Sequence, residues 1–394
     1  MKVICDRGAL LEAVNLVGAT ANPRSPRPQL ACIKMTARKS GKGGAGALTL
    51  AATDGEISLR MTSSRVEVKE EGEALAPGDK LRQIVAAQDT EPTLSIDTDG
   101  EACTIKGADA KFKVFGFPVA EFPPVPEFPT DANAAVVTIS PAMLSHLITR
   151  TIFSTSKETS RYAINGVLLK RAGKKIEMVA TDGRRLALAR ANLESAPTGN
   201  EAASCIIPTK ALNVALKLLP TIDGGEDQKP IRIALSDNQV IFDFPGAEGE
   251  SAVLASNLVE GTFPPYEDVI PKDQDKRATF DVDVLGSAVR RAALLTNEES
   301  RGIKLSFTNA PSGKGHHLKI SSRAAEMGEA DIECELEGYE GGAIDIGFNP
   351  TFISEALKVM GGEQVILELK APNKPGLIKS GADFVYVVMP VNLQ

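Results

Sequence analysis

Two similar Asp-Gly segments constrain the fold of this chain more than any other feature. The sequence ATDGEISL spans Ala52 to Leu59 and ATDGRRLAL spans Ala180 to Leu188, so Asp182 follows Asp54 by 128 residues. Each Asp-Gly pair stands between apolar runs, which is typical of a two-residue type I′ hairpin, because Gly accepts a positive φ angle and Asp tolerates one. Two such hairpins at this distance predict a repeated domain.

The length of the chain supports three repeats. Single cores stop growing at about 250 to 300 residues, so a chain of 394 residues is expected to contain several domains. Each proposed copy opens with an apolar strand and a helix, and a second helix starts at Pro77, Pro208 and Pro350. Proline-rich joints at 117–130 and 260–272 are typical of stiff linkers. We therefore predict domains 1–130, 131–271 and 272–394.

Several residues match the ends of the predicted helices. Ser140 and Asn349 are N-cap candidates that precede prolines, and proline suits the first helical position because its missing N–H costs nothing there. Asp283 is the cap candidate of the third copy's first helix, and Gly361 is suited to end its second. These signals predict where the helices begin and end.

Composition disfavours several classes of protein. The five cysteines are scattered without CxxC spacing, which predicts buried free thiols, and three histidines leave few members for zinc sites or His-dependent catalysis. The adjacent His316 and His317 are interpreted as a solvated hairpin end, and the glycine-rich stretch around Gly41 lacks the P-loop order. Charged residues near the N-terminus argue against a secretory signal, so we expect a cytoplasmic protein.

Positive charge is concentrated on the predicted helices. Residues 7–17, 77–88, 141–152, 208–219, 284–295 and 350–360 carry nine basic and three acidic side chains, although the whole chain has a formal charge of −7. Chance basic faces on amphipathic helices are one explanation. The other is a helix-lined surface that faces a polyanion, where Lys and Arg contact phosphates without reading sequence. With no Trp and only four Tyr, the chain lacks an aromatic platform for single strands, which favours duplex DNA.

The chain also resembles a known family. The segments SRYAINGVLL, ATDGRRLA, EGTFPPYEDVIP, TNEESRGIKLSF, GFNPTFISEALK and YVVMPVNL are similar, in order and spacing, to those of bacterial DNA polymerase III beta subunits, the sliding clamps. The resemblance covers essentially the whole chain. It implies an α+β fold of three repeated domains, each with two helices packed on antiparallel sheet, the DNA clamp fold.

The resemblance also implies a function without catalysis. A head-to-tail homodimer would close a ring around duplex DNA, with the helices lining its inside, and would tether the replicative polymerase as a processivity factor. Neither a cofactor nor a metal is implied. The expected partners are duplex DNA, the polymerase subunit, an ATP-driven clamp loader and other proteins that carry a clamp-binding motif.

The family's partner groove, which takes short peptides, can be carried over by matching motif. An apolar pocket with a few polar groups suits such a ligand. The matching positions are Ile164, Thr181, Gly183, Arg184, Arg185, Leu186, Pro264, Val269, Val387, Val388, Met389, Pro390, Val391 and Leu393. From the residues alone, Val387 to Pro390 is instead interpreted as a core strand.

Two further sets follow from the resemblance. The expected DNA contacts are Arg24, Lys80, Arg82, Arg150, Lys210 and Lys217. The expected dimer contacts are Phe112 and Val114 in KFKVFGFP, and Leu294 and Leu295 in AALLTNEE.

Some positions depart from the family's pattern. Asp268 stands where the family often has a basic residue, Asn392 replaces a common arginine, and Gln394 extends the chain beyond the final leucine. Asp79 and Thr209 also stand where basic residues are frequent. These departures are expected to alter peptide preference and to weaken the DNA surface.

Two other functional classes stay open at this stage. An enzyme acting on phosphorylated substrates would use Asp182, Arg184 and Arg185, although no nucleophile-base pair, metal cluster or P-loop accompanies them. A repeat scaffold that binds only proteins would not retain DNA.

Overall fold

The structure is a computed structural model. It describes residues 1–40, 46–130, 135–158, 160–195, 202–221, 229–247, 249–296, 302–308, 317–324, 327–360 and 364–393. Four residues discussed above, Gly41, His316, Gly361 and Gln394, lie outside the described residues.

The helices occur in pairs, two in each third of the chain, as the repeat predicts. Their bounds in the described residues are α1 Arg7–Gly18, α2 Gly78–Ala87, α3 Pro141–Thr149, α4 Thr209–Thr221, α5 Val282–Ala292 and α6 Pro350–Lys358. Among the described residues, none of these helices has the length and apolar character needed to cross a membrane.

Strands fill most of the remaining chain. The first third contains β1 Lys2–Asp6, β2 Cys32–Lys39, β3 Gly46–Thr53, β4 Ile57–Ser63, β5 Val66–Glu70, β6 Gly72–Pro77, β7 Thr93–Asp99, β8 Ala102–Lys106 and β9 Lys111–Phe115. The middle contains β10 Ala135–Ile139, β11 Gly166–Ala172, β12 Lys175–Thr181, β13 Arg185–Asn192, β14 Ala202–Pro208, β15 Ile231–Leu235, β16 Gln239–Pro245 and β17 Ser251–Asn257. The last contains β18 Lys276–Asp281, β19 Ile303–Thr308, β20 His317–Ala324, β21 Gly328–Glu335, β22 Gly338–Glu340, β23 Ile344–Phe348, β24 Gln364–Leu369, β25 Gly376–Ser380 and β26 Phe384–Val388.

Strand pairing repeats three times. The opening strand of each third pairs with the strand after the second helix, and two more strands follow antiparallel, giving β1-β7-β8-β9, β10-β15-β16-β17 and β18-β24-β25-β26. The strands between the two helices form the hairpin sets β2-β3-β4, β11-β12-β13 and β19-β20-β21. The predicted α+β repeat is therefore confirmed, including its third copy, which lacks Asp-Gly.

The described chain divides into two compact units, residues 1–145 with 193–258 and residues 146–192 with 259–394. Unit 1 has a sheet ordered β5-β1-β7-β8-β9 and another ordered β10-β15-β16-β17-β4-β3-β2-β6. Unit 2 has successive strands β11-β12-β13-β26-β25-β24-β18-β22 and a sheet ordered β21-β20-β19-β23.

Two strand pairs explain why the units are not the predicted thirds. In unit 1, β4 of the first third pairs antiparallel with β17 of the middle third, with Leu59 opposite Leu254. In unit 2, β13 of the middle third pairs with β26 of the last third, with Leu186 opposite Val387. These continuous sheets join neighbouring repeats, and they place the second Asp-Gly turn beside the end of the chain.

The Asp-Gly turns have the predicted hairpin topology but not the predicted type. The last paired residues are Thr53 with Ser58, and Thr181 with Leu186, so four residues lie between them rather than two. Positive φ angles of 98° at Gly55 and 85° at Gly183 explain the glycines. The prediction of two-residue type I′ turns was wrong because side chains close these turns, as described below.

Helix starts follow the capping rules, with one correction. Ser140 Oγ accepts from Met143 N at 3.3 Å, and Asn349 Oδ1 accepts from Thr351 N at 2.9 Å, as predicted. The cap of α5 is Asp281, whose Oδ1 accepts from Asp283 N at 2.9 Å and Val284 N at 3.0 Å. The helix starts at Val282, so Asp283 lies inside its first turn and the predicted cap was wrong.

The observed bounds also reduce the excess of positive charge on the helices. The six helices contain eight basic and four acidic side chains, a net charge of +4, because Arg150 falls beyond α3 and Asp283 falls within α5. The helices therefore still carry a net positive charge, although the formal net charge of the whole chain is −7.

We expect Asp281→Ala to destabilise unit 2 by about 1 kcal/mol, since two N–H groups lose their acceptor. The matched variant Asp283→Ala should have a smaller effect, because that side chain contributes only its charge near the helix start. Urea unfolding followed by circular dichroism measures both. Equal shifts of the two midpoints would contradict the assignment of the cap.

Candidate functional site

A cavity of about 200 Å³ opens in unit 2 beside the second Asp-Gly turn. Most of its lining is apolar, and it is built by the turn itself, the segment before β11, the joint around residue 266 and the end of β26. The lining residues are Tyr162, Ile164, Thr181, Gly183, Arg184, Arg185, Leu186, Pro264, Tyr266, Val269, Val387 and Met389.

Most of the groove positions expected from the sequence meet in this cavity, but four do not. Val388 is fully buried and lies in the sheet between Arg185 and Gly376, so its assignment to the groove was wrong. The other three, Pro390, Val391 and Leu393, line a separate cavity of about 600 Å³, and only Met389 lines both. The alternative interpretation as a core strand is right for Val387 and Val388 and wrong beyond them, because β26 ends at Val388.

Side-chain hydrogen bonds shape the turn at the cavity. Thr181 Oγ1 donates to Arg185 O at 2.6 Å and accepts from Gly183 N at 3.1 Å. Asp182 Oδ1 accepts from Arg184 N at 2.9 Å and from Arg185 N at 3.0 Å. Asp182 therefore serves the turn, which removes it as the acid or base of the enzyme hypothesis.

The first Asp-Gly turn in unit 1 has the same bonds. Thr53 Oγ1 donates to Ile57 O at 2.9 Å, and Asp54 Oδ1 accepts from Glu56 N at 2.9 Å and Ile57 N at 2.8 Å. The sequence Thr-Asp-Gly thus encodes one turn in two repeats. What distinguishes the copies is the residue pair after the glycine.

The two arginines of the second turn have different environments. Arg184 is exposed at the cavity, whereas only 9% of Arg185 is exposed. The Arg185 guanidinium donates to Asp182 Oδ2 at 3.0 Å, to Phe153 O at 2.8 Å and to Glu355. Arg185 thus lines the cavity as expected, while its charge is paired inside unit 2 with Asp182 and Glu355.

Two rings and a carboxylate hold Arg185 in place. Its guanidinium carbon lies 4.5 Å from the centre of the Phe352 ring and 5.5 Å from that of Phe153. Burial by itself lowers the pKa of Arg185, but the interactions with Glu355 and Tyr386 together outweigh it and leave the pKa raised. A permanently charged, planar group thus ties the turn to α6.

Tyr266 is a cavity residue that the sequence comparison missed. Tyr266 is 94% buried, and its hydroxyl donates to Glu177 Oε2 at 3.1 Å, while Arg190 Nε donates to the other oxygen, Glu177 Oε1, at 2.8 Å. Burial, helped by the Glu177 charge, raises the pKa of Tyr266 to about 12. The phenol therefore stays a neutral hydrogen-bond donor across the physiological range. An aromatic residue inside a proline-rich joint was the available signal.

Tyr162 is a second cavity residue that the match to the family's motifs did not include, and it lies in the segment before β11. It follows Arg161, whose guanidinium carbon stacks 4.8 Å from the centre of the Tyr162 ring. The motif RYAIN contained it, but only its isoleucine was assigned to the groove.

Family models and relatives match the whole chain. Models for the N-terminal, central and C-terminal domains of the DNA polymerase III beta subunit match residues 1–126, 138–265 and 267–392. The beta sliding clamp of Pseudomonas aeruginosa is 31% identical over 395 residues, with both chains fully covered. The chain belongs to the DNA polymerase III beta subunit family.

Solved structures agree with this membership. The P. aeruginosa sliding clamp bound to griselimycin has a TM-score of 0.85 and 30% identity, with both chains fully covered. The sliding clamp of Bacillus subtilis, at 24% identity and also fully covered, has a TM-score of 0.86 and shows the shared fold. The chain is accordingly a non-catalytic processivity clamp of DNA polymerase III.

Five of the six predicted DNA contacts are exposed in unit 1. Lys80 and Arg82 lie on α2, Lys210 and Lys217 lie on α4, and Arg24 follows α1. Lys210 pairs with Asp54 of the first turn. Burial raises the pKa of Asp54, but hydrogen bonds from Ile57 N, Lys210 and Glu56 N outweigh it and hold that pKa below its usual value.

Arg150 does not fit the predicted DNA surface. Only 5% of it is exposed, its guanidinium carbon lies 5.3 Å from the centre of the Phe384 ring, and its Nη1 lies 3.5 Å from Asp383 Oδ1. A side chain buried in this way cannot reach a phosphate, so the prediction for Arg150 was wrong.

The predicted dimer contacts lie at two strand edges. Phe112 is 37% exposed and Val114 is half-buried on β9, while Leu294 is 78% exposed and Leu295 half-buried on the turn after α5, which contacts β21. Two further apolar side chains are exposed nearby, Phe115 on β9 and Met327 just before β21.

We expect the two arginines of the turn to respond differently to truncation. Arg185→Ala should cost about 3 to 5 kcal/mol, because it leaves Asp182 and Glu355 without their buried partner. Arg184→Ala, the matched control, should change the free energy of unfolding by less than about 0.5 kcal/mol. Chemical denaturation measures both, and a small loss for Arg185→Ala would contradict the role inferred from its contacts.

Proposed function

We propose that two copies of this chain form a closed head-to-tail ring around duplex DNA in the cytoplasm, with domains 1–130, 131–271 and 272–394 in each copy. The cavity beside Asp182 takes short apolar peptide segments of the replicative polymerase subunit, the clamp loader and other partners. The observation that supports the ring is that β9 and β21 lie at sheet edges, whereas the corresponding strands of the other repeats pair with each other.

The rule concerns the strands that join repeats. The last hairpin strand of the first repeat, β4, pairs with the last strand of the second, β17. The last hairpin strand of the second repeat, β13, pairs with the last strand of the third, β26. Among the described residues, two equivalent strands are not paired in this way: the last hairpin strand of the third repeat, β21, and the last strand of the first repeat, β9. Each lies at the edge of its sheet. Pairing β21 of one copy with β9 of another completes the series.

The two edges have complementary chemistry. The β9 edge exposes Phe112 and Phe115 with Lys111 and Lys113. The β21 edge has exposed Leu294 and Met327 beside it, and its alternate positions expose acidic side chains, namely Glu329, Asp331, Glu333 and Glu335. Exposed apolar edge strands are aggregation hazards unless something covers them. Because the two edges differ, their contact is heterologous and closes a ring only if the rotation closes.

A mixing experiment tests head-to-tail assembly. Phe112→Asp alters only the β9 edge and Leu294→Asp only the β21 side, so each variant alone should sediment as a monomer. An equimolar mixture should contain dimers joined through the one unaltered junction. A contact of like edges would instead leave one of the variants fully dimeric, and that result would overturn the proposal.

The DNA path is supported by the exposed basic residues of α2 and α4. Their long side chains, Lys80, Arg82, Lys210 and Lys217, suit phosphate contacts that hold a duplex without selecting a sequence. Such contacts are compatible with sliding because every phosphate is equivalent.

We expect the protein, once loaded, to stay on nicked circular DNA and to leave after the circle is linearised. Lys80→Glu with Lys210→Glu should reduce retention and flatten its dependence on salt, while dimer formation is unchanged. Gel filtration of labelled protein with each DNA measures retention. Equal retention on both DNA forms would contradict topological binding, and no salt-dependent retention would favour a scaffold that binds only proteins.

The peptide groove is supported by the composition of the cavity. Ile164, Leu186, Val387 and Met389 offer apolar contacts, and Arg184 is an exposed cation at the rim. A relative from P. aeruginosa has been solved bound to griselimycin. We propose that griselimycin takes the same cavity here, in competition with partner peptides.

A further inference from the structure

The described end of the chain lies against β23 at a glycine. Val391 N donates to Gly347 O at 2.9 Å, and Met389 N donates to Arg184 O at 2.8 Å. Pro390, between them, has no N–H to donate. The segment Met389 to Leu393, which we name the tail, is therefore held at two points, one at the Asp-Gly turn and one at β23.

Only glycine permits this approach to β23. A Cβ atom at residue 347 would lie 2.5 Å from Val391 O, and 2.8 and 2.9 Å from Cγ and Cδ1 of Leu393. The leucine side chain could rotate away, but the carbonyl oxygen belongs to the backbone and moves only if the tail moves. Any side chain at residue 347 thus displaces the tail at Val391.

The position of the tail determines a wall of the cavity. Met389 lines both the 200 Å³ cavity and the 600 Å³ cavity, and 39% of it is exposed. Its backbone is fixed on one side by its own N–H bond to Arg184 O, next to the end of β26, and on the other by the contact of Val391 with Gly347. Releasing Val391 leaves the backbone of Met389 with the first anchor only.

We propose that Gly347 is a positioning residue for the partner groove, acting through the tail: by admitting Val391 against β23, it holds Met389 in the wall and sets the affinity for apolar ligands. This inference rests on the proposed peptide-binding function of the cavity. Gly347 itself lines only the 600 Å³ cavity, so it acts at a distance from the ligand.

Amide exchange tests the tail contact without any ligand. In the full chain, Gly347→Ala should speed hydrogen exchange at the Val391 amide by roughly tenfold or more, since the amide loses its acceptor. Gly338→Ala is the matched control, because it also adds a Cβ to a strand glycine of unit 2, yet meets nothing within 4 Å. Unchanged protection of Val391 in Gly347→Ala would overturn the inference.

Calorimetric titration with griselimycin tests the effect on binding. Gly347→Ala should bind roughly tenfold more weakly than the wild type, and Gly338→Ala equally well. In a chain truncated after Pro390, binding is already weakened, and Gly347→Ala should have no further effect, because it acts only through the removed residues.

The remaining outcomes separate the two proposals. Wild-type affinity in Gly347→Ala, or an equal loss in the full and truncated chains, would overturn the positioning role, since the tail would not transmit the change. Absence of griselimycin binding to the wild type, with faster exchange at Val391 in Gly347→Ala, would overturn the groove and leave the tail contact standing.

Discussion

Antiparallel pairing between strands of neighbouring repeats is the interaction on which the rest of the structure depends. Without the β4-β17 pair, the eight-stranded sheet of unit 1 would split into two four-stranded sheets, each with one more exposed edge strand, and loss of the β13-β26 pair would likewise split the sheet of unit 2. The second pair also brings the chain terminus beside the Thr181 turn, with Arg185 opposite Val388. The candidate site is therefore a product of the junction: its two sides come from different repeats and meet because their strands share a ladder.

The two Asp-Gly turns show how one structural element acquires different uses. Both close with the same threonine and aspartate hydrogen bonds, so both can tolerate change in the residues that follow the glycine. In the first turn the second carboxylate oxygen of Asp54 pairs with Lys210 of α4, while in the second turn that of Asp182 pairs with Arg185. The two turns, which continue as EISL and RRLA, thus differ in the cation that pairs with their aspartate: a lysine from α4 in the first and an arginine of the turn itself in the second. Arg184, the other arginine of the second turn, is exposed at the cavity.

Much of the fold could be predicted from the sequence, because helix caps, prolines and Asp-Gly pairs act locally. The repeat, the six helices and the hairpin topology follow from such signals. The turn type did not, since local side-chain hydrogen bonds from Thr181 and Asp182 compete with the intrinsic preference of Asp-Gly. Burial also escaped prediction: Arg150 and Arg185 look like surface cations in a linear sequence, and only packing against Phe384 and Phe352 reveals otherwise. Gly347 carried no readable signal, because its neighbours Val391 and Leu393 are distant in sequence.

Strand pairing across a junction uses groups that every residue carries, and this has a consequence for subunit identity. Main-chain hydrogen bonds do not distinguish one clamp chain from another, because they do not involve the side chains. If two copies pair through β9 and β21 as proposed, the backbone of these strands would not prevent mixed rings between the products of two different clamp genes. Discrimination would have to come from the flanking side chains, since specificity requires an unfavourable contact with the wrong partner as well as a favourable one with the right partner. The exposed Phe115 on β9 and the exposed acidic side chains of β21, Glu329, Asp331, Glu333 and Glu335, are the positions that would determine such self-recognition.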